Sequence, residues 1–178
     1  MWFLRKLIRS IMSEEQAKLT YGLGRDAAII ARDEIGAGEV GSNNGGPHVR
    51  RYRGDTVKGA WCAAFVGWCF QRAAERKGLR LPFKWSNGAK RIYKNIGKAG
   101  KFIDKPQVGA VACWDRGRRG SWQGHVGIVT SLARDEAGDD PNVFYTVEGN
   151  KGRFPSLVAE FKHVLDEGRL IGFATLDV

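Results

Sequence analysis

The sequence predicts an α+β fold in which N-terminal helices pack against an antiparallel sheet. Helical patterns over residues 25–35 and 59–77 come early in the chain, and strand patterns start only at residue 110. Helices first and strands afterwards is the order typical of an α+β domain rather than of alternating βαβ units. With 178 residues, 43% of them hydrophobic, the chain is long enough for one domain with its own core.

The helical segments are recognised by the spacing of their apolar residues. Helical spacing occurs in residues 25–35 and 59–77 and, within residues 83–101, at residues 88–94. The second of these is apolar on most sides, which predicts a buried central helix, and Gly78 follows its end. Residues 36–46 form a glycine- and asparagine-rich loop, and residues 48–58 fit either a short helix or an irregular connection.

The second half of the chain has the apolar runs and alternation of β-strands. Strands are predicted over residues 110–114, 124–130, 143–148, 154–161 and 170–175. The glycine-rich residues 117–120 and the acidic, proline-containing stretch 135–141 are predicted to be loops between strands. Strands joined by short loops favour an antiparallel sheet.

The first 22 residues are predicted to be a basic amphipathic segment ahead of a domain over residues 23–178. Within residues 1–12, basic residues interrupt the apolar run, so no signal peptide is expected, and the run is too short to span a bilayer. Three interpretations remain open: an interfacial helix on an anionic membrane, a segment that docks on a partner, and a terminal helix packed on its own domain.

The charge and the cysteine content narrow the function classes. A net charge of +10 attracts polyanions such as nucleic acid, anionic lipid, teichoic acid and acidic peptidoglycan peptides, or serves solubility alone. No nucleic-acid-binding motif surrounds the basic clusters 50–53 and 116–119, so nucleic acid is not expected as a partner. Three cysteines argue against a disulfide framework, and no Cys/His spacing suggests a metal or a cofactor.

A cysteine at the start of the central helix is the candidate nucleophile. Cys62 lies in the first turn of that helix, where unpaired N–H groups and the helix dipole lower the pKa of a thiol. Ala63 and Ala64 leave room for an acyl group beside the sulfur. The alternative is a buried inert cysteine, which is the interpretation favoured for Cys69 on the same helix.

A histidine in a predicted strand is the candidate base. His125 lies between Gly124 and Gly127, which keep its surroundings open. Within hydrogen-bond reach of the thiol, it would act as general base and then as general acid. The other two histidines, His48 and His163, lie in less distinctive settings, and an isolated strand histidine is more often structural.

A carboxylate and an amide at the end of the next strand complete the candidate site. Glu148 would orient the imidazole and support its charged form, with Asn150 as an auxiliary group. Seen in isolation, residues 148–150 also fit a plain turn. The backbone N–H of Cys62 is the expected donor to an oxyanion.

Four motifs follow one another along the chain. They are Trp61-Cys62-Ala63-Ala64-Phe65-Val66, Val108-Gly109-Ala110-Val111 with Cys113-Trp114-Asp115, Gly124-His125-Val126-Gly127-Ile128-Val129, and Val147-Glu148-Gly149-Asn150. In this order they resemble the CHAP (cysteine, histidine-dependent amidohydrolase/peptidase) branch of the NlpC/P60 superfamily. Upstream, residues 34–36, 39–40 and 43–44 are similar to its bacterial and phage form, so the resemblance covers about residues 25–175. One departure is Gly109-Ala110, where many relatives have Gly-Asp.

The resemblance implies a papain-like α+β fold with the nucleophile helix packed on the antiparallel sheet. It implies peptidoglycan hydrolysis, either at the N-acetylmuramoyl-L-alanine amide or within the stem peptide or cross-bridge. Cys62 is then the nucleophile, His125 the base, Glu148 the third member and Asn150 its helper. Such domains occur in phage endolysins, virion-associated lysins and bacterial wall-remodelling enzymes.

Substrate contacts are predicted in the loops around this site. The candidate substrate-binding residues are Trp61, Asn44, Trp85 and Trp122. Core packing explains some of the tryptophans equally well.

Other functions remain possible from the sequence. The same fold could serve as a non-catalytic, wall-contacting component of a phage tail or similar assembly. A second alternative is a basic lytic protein that acts on membranes through residues 1–12. Without a signal peptide, the protein is expected to be made in the cytoplasm and to reach the cell wall or periplasm by holin-mediated release, within a virion, or with another delivery partner.

Overall fold

The computed structural model of the chain describes residues 20–54, 59–135, 138–166 and 168–177. The membrane or partner contact predicted for residues 1–12 lies outside the described residues, as does nearly all of the segment predicted over 1–22. The domain boundary at residue 23 therefore stays a prediction. Among the described residues, no helix combines the length and apolar character needed to cross a membrane.

Four described helices precede the sheet. They are α1 (Leu23–Asp33), α2 (Pro47–Arg53), α3 (Cys62–Arg76) and α4 (Ala89–Ala99). The short α2 resolves the segment for which the sequence left two possibilities, and Pro47 suits the first helical turn because it has no N–H to leave unpaired. The central helix α3 is buried along most of its length, as its apolar composition predicts.

The strands form one sheet. They are β1 (Lys101–Ile103), β2 (Val111–Asp115), β3 (Gly124–Asp135), β4 (Gly138–Glu148), β5 (Ala159–Val164) and β6 (Leu170–Thr175). Their order across the sheet is β1-β6-β2-β3-β4-β5, and every neighbouring pair is antiparallel. The predicted α+β class is confirmed.

Two predicted boundaries were wrong, and one strand was not predicted. The helical stretch recognised at residues 88–94 is α4, which begins at Ala89 and is followed by the unpredicted β1, a short edge strand that pairs with β6. Residues 135–141, predicted to be a loop, largely belong to β3 and β4, because backbone pairing extends the β3–β4 hairpin as far as Asp135 and Gly138. The strand predicted over 154–161 is displaced to Ala159–Val164, where it pairs with β4.

The two faces of the sheet pack differently. One face packs against the helices through Val111, Cys113, Val126, Ile128 and Val147. The other face carries a smaller apolar cluster of Ala110, Ala112, Trp114, Val129, Phe144 and Phe173. Because side chains alternate along a strand, His125 and Glu148 belong to this second face. The end of β4 lies beside the N-terminus of α3 because Gly149 packs against Trp61. The start of β3 lies there too, because the His125 imidazole interacts with the Cys62 thiol.

Candidate active site

Cys62 is the first residue of α3 and is 4% exposed. The first turn of α3 contains no acidic residue that would offset the positive end of the helix dipole. The first N–H groups of any helix lack an intrahelical acceptor, so the backbone N–H of Cys62 is available to a ligand. The helix start thus presents a thiol and a free N–H donor at one point.

His125 is the second residue of β3, and neighbouring groups leave no space for side chains on the glycines beside it. A Cβ atom at Gly127 would lie 2.5 Å from Cγ of Glu148. A Cβ atom at Gly124 would lie 2.8 Å from Cγ of Lys90. The Gly-His-Val-Gly motif is therefore required by close packing, and Gly127 is what lets Glu148 approach the histidine strand.

Glu148 ends β4 and is completely buried. Its Oε2 atom accepts a hydrogen bond from Nε2 of His125 at 2.5 Å. Its Oε1 atom accepts from three donors: Nε2 of His163 at 2.7 Å, Oγ1 of Thr146 at 2.7 Å and Nζ of Lys151 at 3.0 Å. A buried carboxylate is stable only when hydrogen bonds and positive charge replace water, and these four groups supply both.

The pKa shifts of Cys62, His125 and Glu148 favour a thiolate, an imidazolium and a carboxylate, respectively. Burial raises the pKa of the Cys62 thiol, but the nearby His125 imidazole, the charge of Arg116 and the N–H of Val126 outweigh it, so the net shift is downwards. Burial alone lowers the pKa of His125, whereas Cys62 and Glu148 raise it above its ordinary value. Burial raises the pKa of Glu148, yet the two histidines and Lys151 hold it well below its usual range.

Nδ1 is the nitrogen of His125 that is left for the Cys62 thiol, because Nε2 bonds Glu148. The Nδ1 atom is buried and makes no hydrogen bond of normal geometry to any described residue. A carboxylate only accepts hydrogen bonds, so Nε2 of His125 must carry the proton that bonds Glu148. In the neutral imidazole Nδ1 is then the basic atom, available to take a proton from Cys62.

Comparison with protein-family models decides the family. The CHAP domain model matches residues 52–150, which is more than half of the chain. The chain belongs to the CHAP family. CHAP domains are the cysteine- and histidine-dependent amidohydrolase/peptidase domains of peptidoglycan hydrolases, so the protein is a hydrolase of this class with peptidoglycan as its substrate. No curated protein and no solved structure matched the chain.

Two of the residues predicted to bind substrate lie in the framework of the CHAP domain. Trp61 is fully buried, where it stacks on Tyr52 at 5.7 Å and donates from Nε1 to Glu39. With no exposed surface, Trp61 positions the nucleophile segment rather than presenting a face to ligand. Asn44 is half-buried at φ 55°, and its backbone N–H donates to Glu39. Its Oδ1 atom is buried without a hydrogen-bond partner among the described residues.

The other two predicted substrate-binding residues lie in different cavities. Trp85 lines a cavity of about 400 Å³ with Trp68 and residues 51–54. Trp122 is 85% exposed and lines a cavity of about 700 Å³ beside helix α4. The CHAP domain therefore does not bring the two tryptophans into one groove.

Asn150 lies in the turn after β4, with a left-handed φ of 60°. Asparagine tolerates this conformation better than most residues. Among the described residues, no hydrogen bond joins Asn150 to His125 or Glu148. The structure therefore supports a role for Asn150 in forming the turn.

Several groups around the site were missed from the sequence. They are His163, Thr146 and Lys151 on Glu148, Arg116 near the thiol, and Glu39 beneath the nucleophile segment. The strand predicted over residues 154–161 ends two residues before His163, so the sequence prediction does not place His163 on a strand. Only the observed pairing of β5 with β4 sets His163 opposite Phe144 and next to Glu148.

Proposed function

We propose that this CHAP domain hydrolyses an amide bond of peptidoglycan with Cys62 as nucleophile, His125 as general base and acid, and Glu148 as the group that orients His125. The observation that carries the proposal is the continuous arrangement of a low-pKa thiol at a helix start, an imidazole with a free Nδ1, and a buried carboxylate on its Nε2. Asn150 is proposed as an auxiliary group at the rim of the site.

The reaction follows from these positions. The Cys62 thiolate attacks the carbonyl carbon, a C–S bond forms, and the carbonyl electrons move to oxygen, where the N–H of Cys62 donates to the oxyanion. The C–N bond then breaks as the His125 imidazolium gives its proton to the leaving amine, which leaves a thioester. Neutral His125 next removes a proton from water, the hydroxide attacks the thioester, and the thiol is released together with a carboxylic acid.

The cavity beside Trp122 is proposed to bind the acidic part of the substrate. Lys90 forms an ion pair with Asp115, whereas Arg91 and Lys94 lie exposed in the same lining and form no ion pair with a described residue. Lys90 also packs on Gly124, the residue before His125, so the cavity borders the reacting groups. Stem peptides carry free carboxylates, which suit these cations and the exposed indole.

Asn44 and Trp85 are proposed as weaker contributors at a separate cavity. The backbone carbonyl of Asn44 accepts from Arg53, which lines the same cavity as Trp85. Through this bond the loop over residues 36–46 is tied to the wall of that cavity.

Digestion of purified peptidoglycan tests the proposal. Wild type should release soluble products, and Cys62→Ala should release none while keeping its circular dichroism spectrum and melting temperature. Mass spectrometry then identifies the bond: free glycan strands with intact stem peptides indicate an amidase, and shortened stems or opened cross-bridges indicate an endopeptidase.

A non-catalytic role in a wall-contacting assembly such as a phage tail is the second candidate. This role is favoured if wild type binds peptidoglycan without releasing products, whereas a Cys62→Ala variant as active as wild type would overturn Cys62 as the nucleophile. For the hydrolase, the proposed setting is a phage endolysin or virion-associated lysin that acts at the cell wall after release from the cytoplasm. Contact of residues 1–12 with an anionic membrane or a delivery partner is part of this proposal.

A further inference from the structure

The carboxylate of Glu148 bridges two histidines, and the reaction proposed above uses one of them. His125 bonds Oε2 and His163 bonds Oε1, both through Nε2, at 2.5 Å and 2.7 Å. His163 lies on β5, beyond residue 150, where the match to the CHAP family model ends. The second histidine is therefore a feature of this chain outside the matched region.

The surroundings of His163 hold its ring in one orientation. The ring lies 4.7 Å from that of Trp114 and stacks on Phe144 at 5.3 Å, with an interplanar angle of 23° to Phe144. Its neighbours on β5, Lys162 and Val164, are exposed, whereas His163 is 5% exposed. A polar ring enclosed in this way needs a hydrogen-bond partner, and Glu148 provides it.

The donors to Oε1 differ in how firmly they hold the carboxylate. Thr146 belongs to the same strand as Glu148, and the Lys151 side chain is 30% exposed on the turn that follows. Among these contacts, His163 is the donor that comes from a neighbouring strand, with its ring fixed by packing on both sides. His163 thus restrains rotation of the carboxylate from outside β4.

We infer that His163 is a positioning residue: by donating to Oε1 of Glu148, it keeps Oε2 directed at Nε2 of His125. The inference rests on the proposed function, because its purpose is to support His125 as base and acid. The titratable groups that face Glu148 among the described residues are His125, His163 and Lys151, and Arg116 acts on the thiol beyond them.

Two substitutions separate hydrogen bonding from packing. His163→Gln keeps an N–H donor near the position of Nε2 but removes the aromatic ring. His163→Phe keeps the ring between Trp114 and Phe144 but removes the donor. A positioning role predicts near-wild-type kcat/KM for His163→Gln and a loss of up to roughly 100-fold for His163→Phe.

The rate of Cys62 alkylation by iodoacetamide across a pH series provides a readout that needs no substrate. Cys69 and Cys113 will not interfere near neutral pH, because burial raises the pKa of both, that of Cys113 to about 12. When His163→Phe weakens the support of Glu148 for imidazolium, the pKa of Cys62 should rise and that of His125 should fall. Thiolate formation then starts at higher pH, the basic limb of kcat/KM moves to lower pH, and the active pH range narrows from both sides.

The outcomes are distinct. A narrowed pH range in His163→Phe, restored in His163→Gln, supports the positioning role. Equal activity and equal pH profiles in wild type and His163→Phe overturn it, as does an active His163→Phe beside an inactive His163→Gln. If both variants lose activity with unchanged profiles and lower melting temperatures, His163 is structural and the inference fails. If wild type itself has no thiol that reacts at low pH and releases no products, the result contradicts the proposed function rather than the role of His163.

Discussion

Two buried carboxylates lie on either side of the nucleophile segment, and the groups that bond them differ in kind. Glu148 is 0% exposed and is bonded by two imidazoles, a hydroxyl and an ammonium group. Glu39 is 3% exposed and is bonded by three neutral N–H groups: the backbone N–H of Asn44, Nε1 of Trp61 and the backbone N–H of Ser156.

The difference shows how one residue type serves chemistry at one position and architecture at another. Three of the donors on Glu148 belong to titratable groups, namely the two imidazoles and the ammonium group. The donors on Glu39 have no accessible protonation change, and they come from three segments that are distant in sequence. Glu39 therefore ties the loop over 36–46, the segment before α3 and the loop before β5 into one frame, while Glu148 is the group that we propose supports the reaction.

Glu148→Gln should have the largest effect on activity. The amide NH₂ group would donate to Nε2 of His125, which drives the imidazole proton to Nδ1, the atom that must accept from Cys62. We expect kcat/KM for peptide release from peptidoglycan to fall by roughly 10²–10⁴-fold, the range for loss of acid–base catalysis.

Circular dichroism melting curves serve as the control for this substitution. A folded Glu148→Gln protein with kcat/KM close to that of wild type would show that His125 works without an anionic partner. That result would contradict the catalytic role that we propose for Glu148.

Glu39→Gln should affect stability more than chemistry. Its NH₂ group would meet the N–H of Asn44 and Trp61 or that of Ser156, which leaves at least one buried donor without an acceptor. We expect the free energy of unfolding in urea to fall by about 1–3 kcal/mol, while the pH dependence of Cys62 alkylation stays unchanged.

Glu75→Gln is the matched control for Glu39→Gln. Glu75 lies on the surface of α3, where it pairs with Arg72, and its removal should change stability by less than about 0.5 kcal/mol. A pH profile of Cys62 that shifted in Glu39→Gln would mean that Glu39 also tunes the thiol and that the two carboxylates are less distinct than their donors indicate.

Local sequence context was sufficient to select the three residues that the structure places together, and their catalytic roles stay a proposal. Cys62 was found from a helix start, His125 from glycines within a strand, and Glu148 from a strand end followed by a glycine. The structure brings these three together, although their separations in the chain gave no measure of distance.

The remaining features depend on long-range pairing that no local pattern reveals. The roles of His163 and Glu39 become visible only when β5 is in register with β4 and the loop before β5 reaches residue 39. The tryptophans show the same limit: Trp61 lies in the core and Trp122 on the surface, and nothing in their immediate sequence separates the two.

Unfolding measured at acidic pH should reveal a second difference between Glu148 and Glu39. Because the folded-state pKa of Glu148 lies well below its ordinary value, the stability it contributes is complete above the unfolded-state pKa of about 4.3 and is lost as the pH falls through and below that point. In urea unfolding across this range, wild type should lose stability more steeply than Glu148→Gln, which has no carboxyl to titrate at this position. Parallel curves would show that Glu148 gains nothing from its donors in the folded state.

Lys151→Met should have the smallest effect. It tests whether the positive charge of the Lys151 ammonium group beside Glu148 contributes to activity. The Lys151 side chain is 30% exposed, and Oε1 would keep His163 and Thr146 after its removal. Solvent screening limits such a pair to about 0.2–1 kcal/mol, so kcat/KM should fall by a factor of about five at most. The pH at which Cys62 alkylation begins should rise slightly, as in His163→Phe. Lys162 is an exposed lysine on the neighbouring strand β5, and Lys162→Met is the control that should leave both kcat/KM and the alkylation profile unchanged. A loss as large as that of Glu148→Gln would mean that the ammonium charge, rather than the packed imidazole of His163, keeps Glu148 ionised.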